Sequence, residues 1–200
     1  MGATLPAREV RRTPIGRLRR LARRFLGDRG GVFAVELALA TPILASLALG
    51  GVEITRFVLL NQKIERTSAT MADLVSQSEV LTEGNIAQLF DATANVMTPF
   101  DINANGRLIL SSVSASGGNP PHVNWQRVYG GPGSASRIGS AGATALLPQG
   151  FQVRDGDSVI IAEVYFRYTP LFTKDLIDPV ELYNLAVYRP RFASLTQILP

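Results

Sequence analysis

The stretch VFAVELALATPILASLALGGV, residues 32–52, decides how this 200-residue chain is read. It runs for twenty-one residues with one charge, Glu36. A hydrocarbon core of ~30 Å is crossed by about 20 apolar residues wound as a helix. Length and composition therefore predict a single membrane span.

Working outward, the two flanks differ in charge. Before Gly31 stand nine arginines against Glu9 and Asp28, a surplus of seven positive charges. The rest of the chain carries eleven basic and fourteen acidic residues, so the formal net charge of +4 comes from the leader. Basic flanks stay on the cytoplasmic side of a span. The expected layout is a cytoplasmic leader over 1–31, a transmembrane and extended helix over 32–80, and an exported domain over 81–200.

Two other readings of the amino-terminal region compete with this one. A secretory signal has an apolar region of only ~7–15 residues closed by a small-residue cleavage site. Ala48, Gly50 and Gly51 supply small residues, but the apolar run is longer and its helical pattern does not break. In the leader, Leu18, Leu21, Ala22, Phe25 and Leu26 recur at helical spacing with arginines opposite. Transit peptides use such a basic amphipathic helix, but so does a segment lying on anionic lipid beside a span. The adjoining span favours the second.

Glu36 needs a reason to be where it is. A carboxylate inside a spanning helix costs roughly 2.5–3.5 kcal/mol at the centre and less near an end. One account is that it lies within a turn of the interface and reaches headgroups. The other rests on spacing. A cut after Gly31 would leave Val32 with a free amine and make Glu36 the fifth residue of an apolar helix. That carboxylate can pair with the terminal ammonium of a neighbouring helix, and two charges that are costly apart offset one another and set register.

Beyond the span the period of three and four continues through Leu60, Ile64, Thr67, Met71, Leu74 and Val75. One helix from about residue 33 to 77 is expected, bent near Pro42, which lacks a backbone donor. Glu53 and Arg56, one turn apart, mark the outer interface as a candidate pair. A second helix carries Ile86, Leu89, Phe90, Val96 and Met97 on one side, with Thr82 or Asn85 as cap and Pro99 as terminator. The period then becomes two. Residues 107–113 and 122–129 flank the turn at 117–121 as a hairpin, 158–168 is the clearest strand, and 182–189 is a fourth. The glycine- and serine-rich segment 130–142 reads as a mobile loop. Helices against an antiparallel sheet make the fold class α+β.

Chemistry-bearing residues are sparse. Asp101-Ile102-Asn103-Ala104-Asn105-Gly106 matches the first half of a calcium loop, with oxygen donors at Asp101, Asn103 and Asn105. Ser112 stands where the bidentate glutamate belongs, so the preferred reading is an Asn-Gly turn feeding a strand at Arg107, with Ca2+ as the alternative. Asp155-Gly156-Asp157 reads first as a turn. His122 is the only histidine and has no nucleophile to serve. Trp125, Tyr129, Tyr165 and Tyr168 read as sheet packing. With no cysteine, disulfides and thiolate chemistry are excluded. No lysine-bearing phosphate loop is present, and the basic arm has one aromatic, Phe25, which argues against nucleic acid. Neither a catalytic residue nor a resident cofactor is expected.

The order basic leader, glycine, four apolar residues, glutamate, apolar helix resembles a class III prepilin signal. The wider string GGVFAVELALATP, residues 30–42, resembles the start of TadE-type minor pseudopilins of the tight-adherence (Flp) pilus system. Pro42 stands where those proteins often carry a helix proline, and Leu37 replaces the more usual aromatic. AEVYFRYTPLF, residues 162–172, and Arg189-Pro190-Arg191 also look like that family's carboxyl-terminal half. The resemblance implies a pilin-like protein of the bacterial inner membrane, single-pass, with its carboxyl-terminal domain periplasmic or extracellular. It also implies cutting by a prepilin peptidase at Gly31–Val32, with Gly30–Gly31 as a neighbouring alternative. Expected partners are that peptidase, other pilins or pseudopilins, pilus-assembly proteins and the lipid membrane. The competing function is an unprocessed, membrane-anchored binding module.

Overall fold

A computed structural model describes residues 30–172, 174 and 177–200 of the chain. The amphipathic pattern at 18–26 lies outside the described residues. Among the described residues, the helices α1 (Gly30–Ser76), α2 (Glu83–Met97) and the single turn α3 (Ile102–Asn105) precede the sheet. The strands are β1 (Gly106–Ser114), β2 (His122–Gly130), β3 (Ser158–Tyr168) and β4 (Val180–Tyr188). They form one antiparallel sheet in the order β2-β1-β3-β4. The fold is α+β with a candidate membrane helix, as the change of period predicts.

By packing, the chain divides after Gly50. In the first unit, α1 leaves its large apolar side chains exposed, among them Val32, Phe33, Leu37, Leu39, Ile43 and Leu47. It is long and apolar enough to cross a membrane. Its hydroxyls are satisfied within the helix: Thr41 Oγ1 donates to the Leu37 carbonyl at 2.6 Å and Ser46 Oγ to the Pro42 carbonyl at 2.7 Å. Such back-bonding satisfies these polar groups within the helix itself. Pro42 is accommodated inside the helix.

From Gly51 onward the chain forms one compact body. Leu60, Ile64, Met71 and Val75 of α1 are fully buried, together with Leu108, Leu110, Trp125, Ile160, Ala162 and Val164 of the sheet. The expected helix stripe is thus the core face, with one correction. Leu74 is 38% exposed, while Ser68 and Ala72 take the buried positions. Those two fall at i+4 and i+8 from Ile64, so the stripe follows the straight 3.6-residue period.

α2 begins at a capping box. Thr82 Oγ1 accepts from the Asn85 amide at 3.1 Å, and Asn85 Oδ1 accepts from the Thr82 amide at 3.2 Å. Both expected cap residues therefore act, as reciprocal partners. Ile86 and Met97 are buried in the core, with Leu89, Phe90 and Val96 half-buried beside it. Phe90 stacks on Tyr129 at 5.1 Å.

The other face of the sheet is also covered. Val113, Val123, Val159 and Ile161 pack against Ile138 and Ala145 from the segment between β2 and β3. This corrects the expectation of a free loop at 130–142: Ile138 is 2% exposed, and its neighbours are tied to the sheet by hydrogen bonds. Glycine is required at the loop's start, where a Cβ on Gly131 would lie 1.9 Å from the Asn103 carbonyl oxygen.

Truncating Ile64 to alanine removes a fully buried side chain between helix and sheet and is expected to cost about 2–5 kcal/mol. Leu74→Ala, at a partly exposed position, should cost less than about 1 kcal/mol. Denaturant unfolding of the full chain in detergent, followed through buried Trp125, measures both.

Candidate functional site

The residues singled out by the sequence occupy separate places. Gly31, Val32 and Glu36 lie in the first turns of α1, all exposed. A Cβ on Gly31 would meet nothing within 4 Å. Val32 is 63% exposed. Glu36 lies one turn further along, about 6 Å in axial rise from Val32. Among the described residues no hydrogen bond or ion pair engages its carboxylate.

The candidate calcium ligands form a local cap. Asp101 is the N-cap of α3, and its Oδ1 accepts from the amides of Asn103 at 2.8 Å and Ala104 at 3.1 Å. Asn103 Nδ2 reaches Tyr129 Oη at 3.4 Å. Ser112, at the position of the bidentate ligand, is buried in β1 and accepts from Asn124 Nδ2 at 3.1 Å. The segment 102–105 is one helical turn leading directly into β1. Among the described residues, no group of three or more histidines or acidic residues is arranged to hold a metal ion.

His122 opens β2 half-buried, paired in a bridge with Thr144. Asp155-Gly156-Asp157 forms the expected turn, with Gly156 at φ +84° and Asp157 3.1 Å from Arg189 Nη1. The tyrosines and Trp125 do pack on the sheet. Trp125 Nε1 also donates to the Leu195 carbonyl at 2.8 Å, holding the carboxyl-terminal segment.

One carboxylate escaped the sequence reading, and another has partners other than the expected one. Glu163, in mid-β3, has no exposed surface. Its Oε1 accepts from the Arg137 amide at 2.9 Å and lies 3.0 Å from Tyr165 Oη and 3.1 Å from Tyr183 Oη. Its Oε2 accepts from Ser136 Oγ. Tyr165 Oη is equally close to the Ala135 carbonyl, so its single proton serves one acceptor at a time. The Arg137 guanidinium stacks over the Tyr183 ring at 3.9 Å. A buried carboxylate is tolerated only when its lone pairs are met. This one fastens the segment between β2 and β3 onto the sheet. A signal was present in β3, whose apolar residues Val159, Ile161 and Tyr165 alternate with a second apolar set. A strand apolar on both faces is covered on both, so a glutamate within it must find partners inside.

The second carboxylate is Glu53. It does not pair with Arg56, whose guanidinium lies 5.7 Å from the Phe100 ring centre. Instead it accepts from Tyr168 Oη and from the amides of Leu171 at 3.0 Å and Phe172 at 3.3 Å. These partners lie more than a hundred residues away, beyond the reach of helical spacing rules.

Burial, followed by the Glu163 charge, pushes the Tyr165 and Tyr183 hydroxyls far above the ordinary tyrosine value of 10.0. Burial, followed by the bond to Glu53, pushes Tyr168 up to about 12. These arrangements place neutral donors against carboxylates. No nucleophile, base and orienting group meet in them, and what they can do is fix loops.

A family model described as TadE-like protein matches residues 31–73. The chain is similar to that family over the apolar part of α1 and most of its buried stripe, less than a quarter of its length. The strings at 162–172 and 189–191 lie outside the matched segment. No curated protein and no solved structure matches the chain.

Because the folded state holds these tyrosines neutral, their contribution to stability is complete below pH 10. It is lost as pH rises through about 12 for Tyr168 and beyond that for the other two. The melting temperature of the full chain in detergent should therefore fall from about pH 10 upward. Tyr183→Phe should lower stability at neutral pH by about 1.5–3 kcal/mol, the worth of a hydrogen bond to a charged group, and flatten the alkaline decline. Calorimetry from pH 7 to 12 on both proteins reads the two effects.

Proposed function

We propose that this protein is a minor pseudopilin-like component of tight-adherence (Flp) pilus assembly, anchored in the bacterial inner membrane and processed by a prepilin peptidase. The observation that carries the reading is the similarity to TadE-like proteins over residues 31–73, which begins at the glycine of the signal and includes Glu36. The exposed apolar helix that follows suits a single-pass anchor. The basic leader then stays cytoplasmic, and the compact body from Gly51 onward is displayed on the other side.

In this reading the peptidase cuts between Gly31 and Val32. Glycine suits the position before the cut because a protease needs close backbone approach, and no side chain stands in the way. Processing removes the arginines and leaves an ammonium at Val32, one turn from Glu36. In the membrane, the Glu36 carboxylate then meets the terminal ammonium of a neighbouring pilin or pseudopilin. Each charge lowers the cost of the other, and the pair fixes the axial register between helices. The partners are the peptidase, other pilus subunits, assembly proteins and the lipid bilayer. The work is assembly rather than catalysis.

Two outcomes test this. Sequencing the amino terminus of the protein isolated from its host membrane should give Val32, and Gly31→Ala should retain the leader. Since open space surrounds Gly31, loss of processing in that variant reports recognition and not misfolding. A retained leader in the native protein would leave an unprocessed anchored module. Glu36→Gln should leave processing and the melting of the compact body unchanged. Cross-linking to pilus components should nevertheless drop by an order of magnitude or more, because losing one partner of a buried ion pair costs about 3–5 kcal/mol.

A further inference from the structure

We infer that the turn after β3, at Pro170, Leu171 and Phe172, is a foot that seats the exported body on the outer leaflet of the membrane. The inference rests on the span assigned under the proposed function. The apolar run ends at Val52, and Glu53 is the next residue. Through its carboxylate Glu53 holds the amides of Leu171 and Phe172, at 3.0 Å and 3.3 Å, and the hydroxyl of Tyr168. Those groups therefore lie within one side-chain length of the point where the chain leaves the hydrocarbon. The level of the turn relative to the bilayer is fixed by these bonds and by chain connectivity.

What the turn presents at that level is apolar. Leu171 is 49% exposed and Phe172 50%. On the first turns of α1 beyond the span, Ile54, Phe57 and Val58 are exposed as well. Phe57 meets Tyr168 edge-on at 5.3 Å, joining helix and turn. Meanwhile the polar groups, the Glu53 carboxylate, the two amides and the tyrosine hydroxyl, satisfy one another. An aromatic and aliphatic collar with its backbone donors already bonded suits the interfacial zone, where an unbonded amide is costly and an apolar side chain gains by entering. The occupant of this surface is the lipid bilayer itself, because the surface continues directly from the membrane-spanning segment.

The chain has no cysteine, so single-cysteine variants carry one spin label each. Full-length Phe172→Cys, Leu44→Cys and Leu146→Cys proteins would be labelled and reconstituted in vesicles of phosphatidylethanolamine and phosphatidylglycerol. Accessibility to oxygen and to a water-soluble nickel chelate would then be measured for each. Position 44 lies in the span, and position 146 is exposed on the segment between β2 and β3. The label at 172 should be reached by oxygen and shielded from nickel several-fold relative to 146, at a depth of about 5–10 Å. Adding Glu53→Ala should return it toward the accessibility of 146. Nickel access at 172 equal to that at 146 overturns the foot, and so does shielding from both reagents, which marks a protein contact. No effect of Glu53→Ala overturns the holding role of Glu53. If position 44 is itself open to nickel, the span is wrong. If 44 is buried in lipid and 172 is not, the span stands and the foot alone falls.

Discussion

A single helix with two different surface patterns is the constraint on which the rest of this structure depends. Up to Val52, α1 is apolar around its circumference and exposed on every side. From Leu60 it is apolar along one stripe, and that stripe is buried against a sheet. A helix immersed in lipid gains nothing from amphipathicity, whereas one lying on a soluble core must show water a polar face. The change of pattern along one uninterrupted element is the one a candidate membrane span joined to a soluble core requires. It also explains why the packing boundary falls at Gly51, within the helix and not at its end.

The sheet answers that helix and also carries a second layer. β3 is the strand through which both layers act. Ile160, Ala162, Val164 and Phe166 face the helices, while Val159 and Ile161 face the segment between β2 and β3. Glu163 stands on the second face and draws Ser136 and Arg137 down onto it. Without that carboxylate a glycine- and serine-rich segment would have few apolar side chains to hold it in place. A polar anchor compensates there for a thin hydrophobic contact.

Most of the fold was legible because its elements obey short periods. The long apolar helix, the stripe of α1, the capping box at Thr82 and Asn85 and the four described strands follow from spacing and turn chemistry. Legibility failed where long-range partners decide the outcome. Local composition described residues 130–142 as a free loop, whereas distant groups such as Glu163, Tyr165 and Gln126 hold it down. Arg56 was the sequence-local partner for Glu53, yet Tyr168 and two backbone amides supply better-directed donors. Leu74 read as core because the stripe was drawn one position too wide. For the candidate site, the glycine, the spacing and Glu36 were readable from the sequence. The described residues add no intramolecular partner for Glu36, so its pairing remains the expectation drawn from spacing.

Three glutamates in this protein stand among apolar surroundings, and their different solutions bear on what each is for. Glu163 is enclosed by hydroxyls and an amide of its own chain. Glu53, at the edge of the span, is satisfied by a tyrosine and two amides from the turn after β3. Both are complete within the monomer, and both fasten a loop. Glu36 has no such partner among the described residues, although Thr41 and Ser46 in the same helix have found theirs. A lipid-exposed helix offers a carboxylate no donors of its own, since every nearby amide is spent on the helical ladder. In the proposed function, its partner is supplied by a neighbouring helix. There, an ammonium created by cleavage on a neighbouring subunit would match Glu36 in charge and depth. Folding accounts for the first two carboxylates, and assembly is the account that the proposed function gives the third.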